Sequence, residues 1–168
     1  GKGKYITPDG FTYIGTFSKN DFYKGTCTFK NETGDYDITY SSGTVSKAII
    51  KFTDGSSYEG TCTSTKLTGQ GTMVFTNGDS YFGAFVDGKR SGEGVYKWAS
   101  GDEYNGDWHE DKMEGSGEYK YSNGNYAKGT FKMNTFSDGE YYCKNDAGTY
   151  DYSVTSGTPT SVDISLNN

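Results

Sequence analysis

The chain contains few leucines, prolines, histidines or cysteines, and each shortage excludes a class of protein. Its 168 residues include two prolines, three cysteines and one histidine, and leucine occurs only at Leu67 and Leu166. No apolar stripe of helical period is found, and no run of about 18 apolar residues, so neither amphipathic nor membrane-spanning helices are predicted. The cysteines, Cys27, Cys62 and Cys143, lack C-x-x-C spacing. We therefore expect small buried residues and no metal site.

Basic residues are also too scarce and too dispersed for a polyanion-binding surface. Sixteen Lys and Arg stand against 22 Asp and Glu, a formal net charge of −6. Nucleic acids and anionic lipids both attract clustered positive charge. The adjacent pair Lys89 and Arg90 is the nearest approach to such a cluster. We expect no nucleic-acid binding and no direct binding to anionic lipid.

Glycine and aromatic residues are abundant instead. The chain has 25 glycines and 16 tyrosines, and 17% of its residues are aromatic against 32% hydrophobic in total. Disordered chains lack aromatic residues, so this composition indicates a folded protein in which rings carry most of the burial. Tyr, Phe and Thr favour strands, and glycine punctuates every segment. An all-β fold is predicted.

A unit of 23 residues recurs, opened by Gly55, Gly78, Gly101 and Gly124. Three residues after the first three of these glycines stand Tyr58, Tyr81 and Tyr104, and further aromatic and glycine positions repeat at fixed spacing. The repeated glycines inside the units are Gly60, Gly69, Gly71, Gly83, Gly92, Gly94, Gly106, Gly115 and Gly117. Agreement at this many positions identifies an internal repeat, which is the signature of a stacked repeat architecture.

The spacing of the unit predicts a β-hairpin with one aromatic face. Side chains alternate along a strand, so the repeated aromatics and glycines share a face. A turn at residues 109–114 would place Trp108 opposite Gly115, Gly106 opposite Gly117, and Tyr104 opposite Tyr119. Rings from neighbouring hairpins would then lie over the bare glycine backbone.

Charged residues fall on the other face of the same hairpin. In that register Glu103 faces Lys120, a cross-strand pair worth a few tenths of a kcal/mol. Asn105, Asp107 and Glu118 belong to this face as well. Most of the carboxylates in the unit are therefore interpreted as solvated.

The pattern Gly-x-x-Tyr-x-Gly-x-aromatic followed by Gly-x-Gly-x-Tyr resembles the MORN repeat (membrane occupation and recognition nexus). The resemblance is clearest over residues 55–123, with partial or degenerate repeats over 1–54 and 124–150. It implies one domain over 1–168, an elongated, twisted, single-layer antiparallel sheet of about seven stacked hairpins. At about 4.8 Å per strand the rod would measure roughly 60–70 Å.

The two ends of the chain give further expectations. Gly1, Gly3 and Tyr5 match the second half of a unit, so we expect the chain to derive from a longer protein. Residues 151–168 are predicted to cap the sheet, with SVDISL as the capping strand because its apolar residues alternate. The polar pair Asn167-Asn168 after it predicts a true C-terminus.

Catalytic chemistry finds little support in the sequence. Nucleophilic catalysis needs a base beside the nucleophile. The only histidine, His109, falls in a predicted hairpin turn, where we expect a solvated side chain and not such a base. The G-x-G sequences lie within strands, so no phosphate cradle and no cofactor are predicted. Carboxylate candidates for a glycosidase pair are Asp79, Asp102, Glu103, Asp107, Glu110 and Asp111. Those at Gly-Asp turns are interpreted as turn residues, and we expect no enzymatic activity.

The aromatic face is the candidate binding site, because a single-layer sheet leaves part of it uncovered. The predicted groove consists of Tyr81, Phe85, Tyr96, Trp98, Tyr104, Trp108, Tyr119 and Tyr121. By family resemblance we expect a scaffold that binds a protein partner or itself through this groove or a sheet edge. A carbohydrate-binding or cell-surface module is the alternative, and a glycoside hydrolase-like enzyme a third hypothesis. The Thr-, Ser- and Asn-rich composition favours an extracellular or bacterial cell-surface location over the cytoplasm.

Overall fold

The computed structural model describes residues 1–63 and 66–167, and every regular element within them is a β-strand. All strand pairings are antiparallel between neighbours in the chain, and the sheet order follows the sequence. This confirms the all-β class and the single antiparallel sheet of consecutive hairpins. The strands are β1 Lys2–Ile6, β2 Thr12–Ser18, β3 Asp21–Asn31, β4 Gly34–Ser41, β5 Thr44–Phe52, β6 Ser57–Thr63, β7 Lys66–Val74, β8 Ser80–Val86, β9 Lys89–Lys97, β10 Glu103–His109, β11 Lys112–Lys120, β12 Tyr126–Lys132, β13 Thr135–Asn145, β14 Gly148–Thr155 and β15 Thr158–Leu166.

The chain divides into two compact units. The first comprises Gly1–Gly78 with Phe85–Gly88, and the second comprises Asp79–Ala84 with the chain from Lys89 onward. That the whole chain forms one repeat domain with a cap over 151–168 stays a prediction. Asn168, at the end of that segment, lies outside the described residues.

Hairpins of the second unit turn over two residues, which is tighter than the sequence predicts. Glu110 and Asp111 have φ of 45° and 70°, and the corresponding Met133 and Asn134 have 47° and 69°. Two successive positive φ values characterise the type I′ turn, whose twist matches that of the flanking strands. The predicted turn over 109–114 is therefore wrong. His109 is the last residue of β10 and pairs with Lys112.

The register of this hairpin is partly as predicted. Tyr104 pairs with Tyr119 and Gly106 with Gly117, which confirms those two pairs. The predicted pairing of Trp108 with Gly115 is wrong, because Trp108 pairs with Met113 across a β-bulge. Gly115 has φ +99°, a conformation that side chains disfavour and that glycine adopts freely. The bulge shifts the register, so that the two-residue turn and the pairing of Gly106 with Gly117 are both possible.

In the second unit, a buried tyrosine lies over a pair of glycines in each regular hairpin. A Cβ atom at Gly117 would lie 2.4 Å from Tyr104 Oη, and one at Gly106 would lie 2.7 Å from it. Tyr81 covers Gly83 and Gly94 in the same way, at 2.5 and 2.2 Å. Both tyrosine side chains are fully buried. Only glycine leaves room for these rings.

The covering ring comes from the same hairpin and not, as the sequence analysis expected, from a neighbouring one. Tyr104 Oη donates a hydrogen bond to the carbonyl of Asp107 at 3.1 Å, three residues further along its own strand. Tyr81 Oη donates to the carbonyl of Ala84, also at 3.1 Å. Each hydroxyl needs such a partner because it is buried. This hydrogen bond orients each tyrosine ring along its own strand, so that Tyr104 lies over Gly106 and Tyr81 lies over Gly83.

The glycines Gly69, Gly92 and Gly115 have a different role from the one expected. Their φ values are +65°, +84° and +99°, and no ring lies close to the position of a Cβ atom at any of them. At Gly115 the nearest group is the carboxylate of Asp107, which accepts a hydrogen bond from the Ser116 N–H at 3.0 Å. These glycines are required by backbone conformation rather than by ring packing.

The core of the first unit repeats the tyrosine arrangement. Tyr58 covers Gly60 and Gly71, and its Oη donates to the Thr61 carbonyl at 2.8 Å. The ring of Phe85 meets that of Tyr58 edge-on, with centroids 5.4 Å apart. In the degenerate repeats the core consists of the stacked rings of Phe29 and Tyr36 together with the buried aliphatic residues Ile38, Ala48 and Ile50. Burial thus continues where the repeat pattern fades.

Two of the three cysteines are buried in the first unit. The side chains of Cys27 and Cys62 are 1% and 3% exposed, and burial raises the pKa of both thiols. A raised pKa keeps the thiol protonated and unreactive near neutral pH. Their role is packing.

The predicted capping segment forms the final strand of the second unit, β15, which pairs with β14. Its apolar residues are not buried, however: Val162, Ile164 and Leu166 are 43%, 54% and 67% exposed. The alternating apolar residues of SVDISL therefore form a strand, but both faces of that strand are exposed. That SVDISL caps the sheet stays a prediction.

Candidate functional site

Five of the eight predicted groove residues are buried. Phe85 lies in the core of the first unit, and Tyr81, Tyr96, Tyr104 and Trp108 lie in the core of the second. There Trp108 meets Tyr81 and Tyr104 edge-on, with centroids 5.5 and 5.3 Å apart, and its Nε1 donates to the Gly94 carbonyl at 3.2 Å. Such rings stabilise the sheet but offer no surface to a partner.

The other three, Trp98, Tyr119 and Tyr121, remain accessible and are packed against one another. Trp98 and Tyr119 are half-buried, and Tyr121 is 38% exposed. Ring centroids are 5.0 Å apart between Trp98 and Tyr119 and 4.7 Å apart between Tyr119 and Tyr121. These distances are those of direct aromatic contact.

Sequence analysis missed two further rings that continue the line. The Tyr121 ring lies 6.3 Å from that of Tyr141, which lies 6.1 Å from that of Tyr152. We call Trp98, Tyr119, Tyr121, Tyr141 and Tyr152 the aromatic row. Tyr141 pairs with Tyr152 across β13 and β14. The alternating tyrosines of β14 were the available signal, but the repeat slips after Gly124 and hides their place in the unit.

Two carboxylates lie beside the row, on the aromatic face. Asp79 is 7% exposed and accepts hydrogen bonds from Tyr96 Oη at 2.7 Å and from the Ala99 N–H at 2.8 Å. Asp102 accepts from Tyr119 Oη at 3.1 Å and from the Ser122 N–H at 2.8 Å. Each carboxylate thus links a tyrosine side chain to the backbone of a turn about 20 residues further along the chain: Asp79 links Tyr96 to Ala99, and Asp102 links Tyr119 to Ser122. They are more than local turn residues.

These contacts change the acidity of both partners. Burial, followed by the hydrogen bond to its carboxylate, raises the pKa of Tyr96 and of Tyr119 to about 12. The backbone N–H of Ser122 is the main cause that lowers the pKa of Asp102. Both tyrosines are neutral donors and Asp102 is an anion at physiological pH.

Arg90 occupies an aromatic cage rather than a basic patch. Its guanidinium carbon lies 4.4, 5.0 and 5.7 Å from the ring centroids of Trp108, Tyr96 and Tyr81. Its Nε lies 3.0 Å from Asp111 Oδ1. The same position in neighbouring repeats holds the buried apolar residues Leu67 and Met113. A cation therefore fills an apolar position on this face, held by rings and one carboxylate.

Comparison with known families matches the regular hairpins. The MORN repeat model matches residues 1–12, 58–80, 81–103 and 104–126. The last three matches begin at Tyr58, Tyr81 and Tyr104, the tyrosines that cover glycine pairs. The chain belongs to the MORN repeat family. No curated protein matches this MORN protein.

The opposite face of the MORN hairpin carries exposed ion pairs, but not the predicted one. Glu103 pairs with Lys97 at 3.2 Å, and Lys120 with Glu118 at 3.3 Å. Glu103 does lie opposite Lys120 in the β10–β11 register, yet it also lies opposite Lys97 on β9. Its side chain contacts the lysine of β9. Such exposed pairs contribute little to stability.

The candidate catalytic residues are spread over different environments. Asp79 and Asp102 bind tyrosine hydroxyls, Asp107 binds a backbone N–H, and Asp111 binds Arg90. Among residues 1–63 and 66–167 there is no group of three His, Cys, Asp or Glu side chains that could hold a metal. Over the same residues no helix long and apolar enough to span a membrane occurs. The absence of enzymatic activity stays a prediction.

Proposed function

We propose that this MORN protein is a non-catalytic scaffold that binds a protein partner through the aromatic row. The observation that carries the proposal is the aromatic row itself, a continuous line of five neighbouring rings that are all half-buried or exposed. Large accessible rings held in fixed positions are favoured at protein interfaces, because they bury much area at low entropic cost. MORN repeats commonly serve protein or membrane interaction, which supports a repeat scaffold.

The chemistry of the row supports a partner with both apolar and polar groups. Tyr119 presents its ring while its hydroxyl is held by Asp102. Its orientation is therefore fixed before binding, and little side-chain entropy is lost when a partner contacts it. A net charge of −6 makes an anionic membrane a poor partner. A protein surface is the better fit.

The test compares Trp98→Ala with a matched control, Phe82→Ala. Phe82 is 60% exposed and alternates with the buried Tyr81, so it presents an aromatic ring on the opposite face. Both variants and the wild type are immobilised, and proteins captured from the source cells are identified. The same protein retained by wild type and Phe82→Ala, but lost with Trp98→Ala, supports the proposal. Equal capture by all three would contradict it, provided that circular dichroism shows each variant folded.

A carbohydrate partner is the second candidate, and the accessible rings of Trp98 and Tyr121 are what favour it. Aromatic faces stack on sugar rings as they do on other apolar surfaces. Trp108 is buried and Trp98 is half-buried, so tryptophan fluorescence reports mainly on the row. A saturable change with a soluble polysaccharide, weakened in Tyr121→Ala, which keeps the Trp98 reporter, would favour a carbohydrate module. Self-association through the row would appear as a concentration-dependent molecular mass that Trp98→Ala abolishes.

A further inference from the structure

In the second unit, lysines and carboxylates share the face opposite the row, where they form ion pairs such as Lys97–Glu103 and Lys120–Glu118. Five lysines of its strands alternate with the rings and core residues, and therefore lie on the face opposite the row: Lys97, Lys120, Lys128, Lys132 and Lys144. Asp79 and Asp102 lie on the aromatic face, where they bind Tyr96 and Tyr119. The surface around the row therefore combines ring faces with negative charge.

The same face already accommodates one cation. Arg90 lies over three rings and forms an ion pair with Asp111 at 3.0 Å. Its guanidinium is 5.0 Å from the ring centroid of Tyr96, which contacts Trp98 at 4.6 Å. The occupied cage and the open row are therefore adjacent. Both consist of aromatic rings beside a carboxylate, the combination that recognises cations in proteins.

We propose that the aromatic row binds a basic segment of the partner by receiving an arginine side chain over the accessible faces of Trp98 and Tyr119, beside Asp102. This inference rests on the proposed function, because it assigns a chemical class to the partner of the same row. The guanidinium stacks on the rings, and its N–H groups donate to the Asp102 carboxylate. Tyr119 Oη and the Ser122 N–H each bind one oxygen of that carboxylate. The Ser100 and Ser122 side chains also hydrogen-bond to this carboxylate. A carboxylate accepts about four hydrogen bonds, so the arginine N–H groups would compete with these serine side chains for its oxygens.

The repeat itself supplies a variant that removes the charge without breaking the turn. Asn125 occupies the position of Asp102 in the next unit, and its Oδ1 accepts a hydrogen bond from the Lys144 N–H at 3.0 Å. Asp102→Asn should therefore keep the bond to the Ser122 N–H while losing the negative charge. Glu118→Gln is the matched control, because Glu118 is a carboxylate on the opposite face that pairs with Lys120.

The experiment measures binding of three fluorescently labelled peptides of equal length to the full chain by anisotropy. They carry arginine, lysine or citrulline at the same positions; citrulline keeps the shape of arginine and removes its charge. We expect the arginine peptide to bind most tightly and the citrulline peptide to bind at least roughly tenfold more weakly. Asp102→Asn and Trp98→Ala should each weaken arginine-peptide binding by a similar factor, and Glu118→Gln should not.

Several results would overturn the inference. Equal binding of arginine and citrulline peptides, still lost in Trp98→Ala, would show that the row binds peptides without reading their charge. The proposed function would survive that outcome and the basic partner would not. Equal weakening by Glu118→Gln and Asp102→Asn would reveal general charge attraction in place of a site. If none of the peptides binds, the row has no preference for a basic segment.

Discussion

Gly94→Ala offers the sharpest test of how the MORN hairpin is packed. A Cβ atom at this position would lie 2.2 Å from Tyr81 Oη and 2.5 Å from two carbons of the same ring. Carbon atoms in ordinary contact are about 3.5–4.0 Å apart, so the ring must move by more than about 1 Å. Tyr81 is fully buried and meets Trp108 edge-on, so no free space receives it.

The expected cost follows from these contacts. Forcing extra volume into a packed core costs about 1–3 kcal/mol. Displacing Tyr81 also breaks the hydrogen bond from its Oη to the Ala84 carbonyl, which adds about 1 kcal/mol. A total loss of about 2–4 kcal/mol in unfolding free energy corresponds to a fall in Tm of roughly 5–15 °C for a chain of this length.

Thermal unfolding followed by circular dichroism measures the effect, with two comparison variants. Gly92→Ala has only Ala84 Cβ nearby, at 3.4 Å, but φ is +84°, so it reports the backbone cost alone, about 1–2 kcal/mol. In a Tyr81→Ala background, Gly94→Ala should become nearly neutral because the ring is gone. A loss of less than about 0.5 kcal/mol in the wild type, or an equal loss in both backgrounds, would refute the packing argument.

Three other measurements test the charged and titrating groups. Arg90→Leu should change Tm by only a few degrees, whereas Asp111→Ala should lower it more by leaving the guanidinium unpaired; the reverse order would contradict the cage. The pKa of Asp102 is lowered in the folded state, so its ionised carboxylate stabilises the fold above about pH 4, and this stabilisation is lost as the pH falls. The urea denaturation midpoints of wild type and Asp102→Asn should therefore converge in acid. A constant gap would argue against that assignment. Burial raises the pKa of Tyr81 and Tyr104 to about 12, so their stabilisation is present below about pH 10 and disappears towards pH 12. Tyrosinate absorbance should show late ionisation together with loss of the sheet, and complete ionisation near pH 10 in an intact sheet would refute this.

The strand periodicity was readable from the sequence because alternation has a period of two. The spacing of Tyr104, Gly106 and Gly117 correctly predicts one shared face and the pairing of the two glycines. It also predicts which side of the hairpin carries Glu103 and Lys120. Alternation alone fixes these features, and no knowledge of loop length is needed.

Features that depend on backbone conformation were not readable in the same way. Gly115 and Gly117 are the same residue type on the same strand, yet one supplies a positive φ and the other leaves room for a ring. A one-letter pattern does not separate these causes. The two-residue turn at Glu110 and Asp111 escaped prediction because neither residue is glycine, the usual marker of positive φ.

The candidate site was predictable only in part, because exposure depends on contacts in three dimensions. Trp98 and Trp108 are equally aromatic in sequence, but Trp108 packs between tyrosines and is buried, whereas Trp98 remains accessible. The rings around Arg90 come from three strands, β8, β9 and β10, so sequence spacing alone does not reveal its cage. Tyr141 and Tyr152 belong to the row because they pair across β13 and β14. The 23-residue spacing does not predict their place, because the repeat slips after Gly124.

The pairing of each strand with its neighbours in sequence has a consequence for how the chain folds. Two-residue turns close these hairpins, so most contacting residues are separated by less than one repeat. Folding rate rises as contacts become more local, and most β proteins are slow because their strands pair over long distances. A chain in which hairpins form one after another against existing neighbours can start at its most regular repeats and extend in both directions. We therefore expect refolding on the timescale of helical proteins rather than that of β-sandwiches.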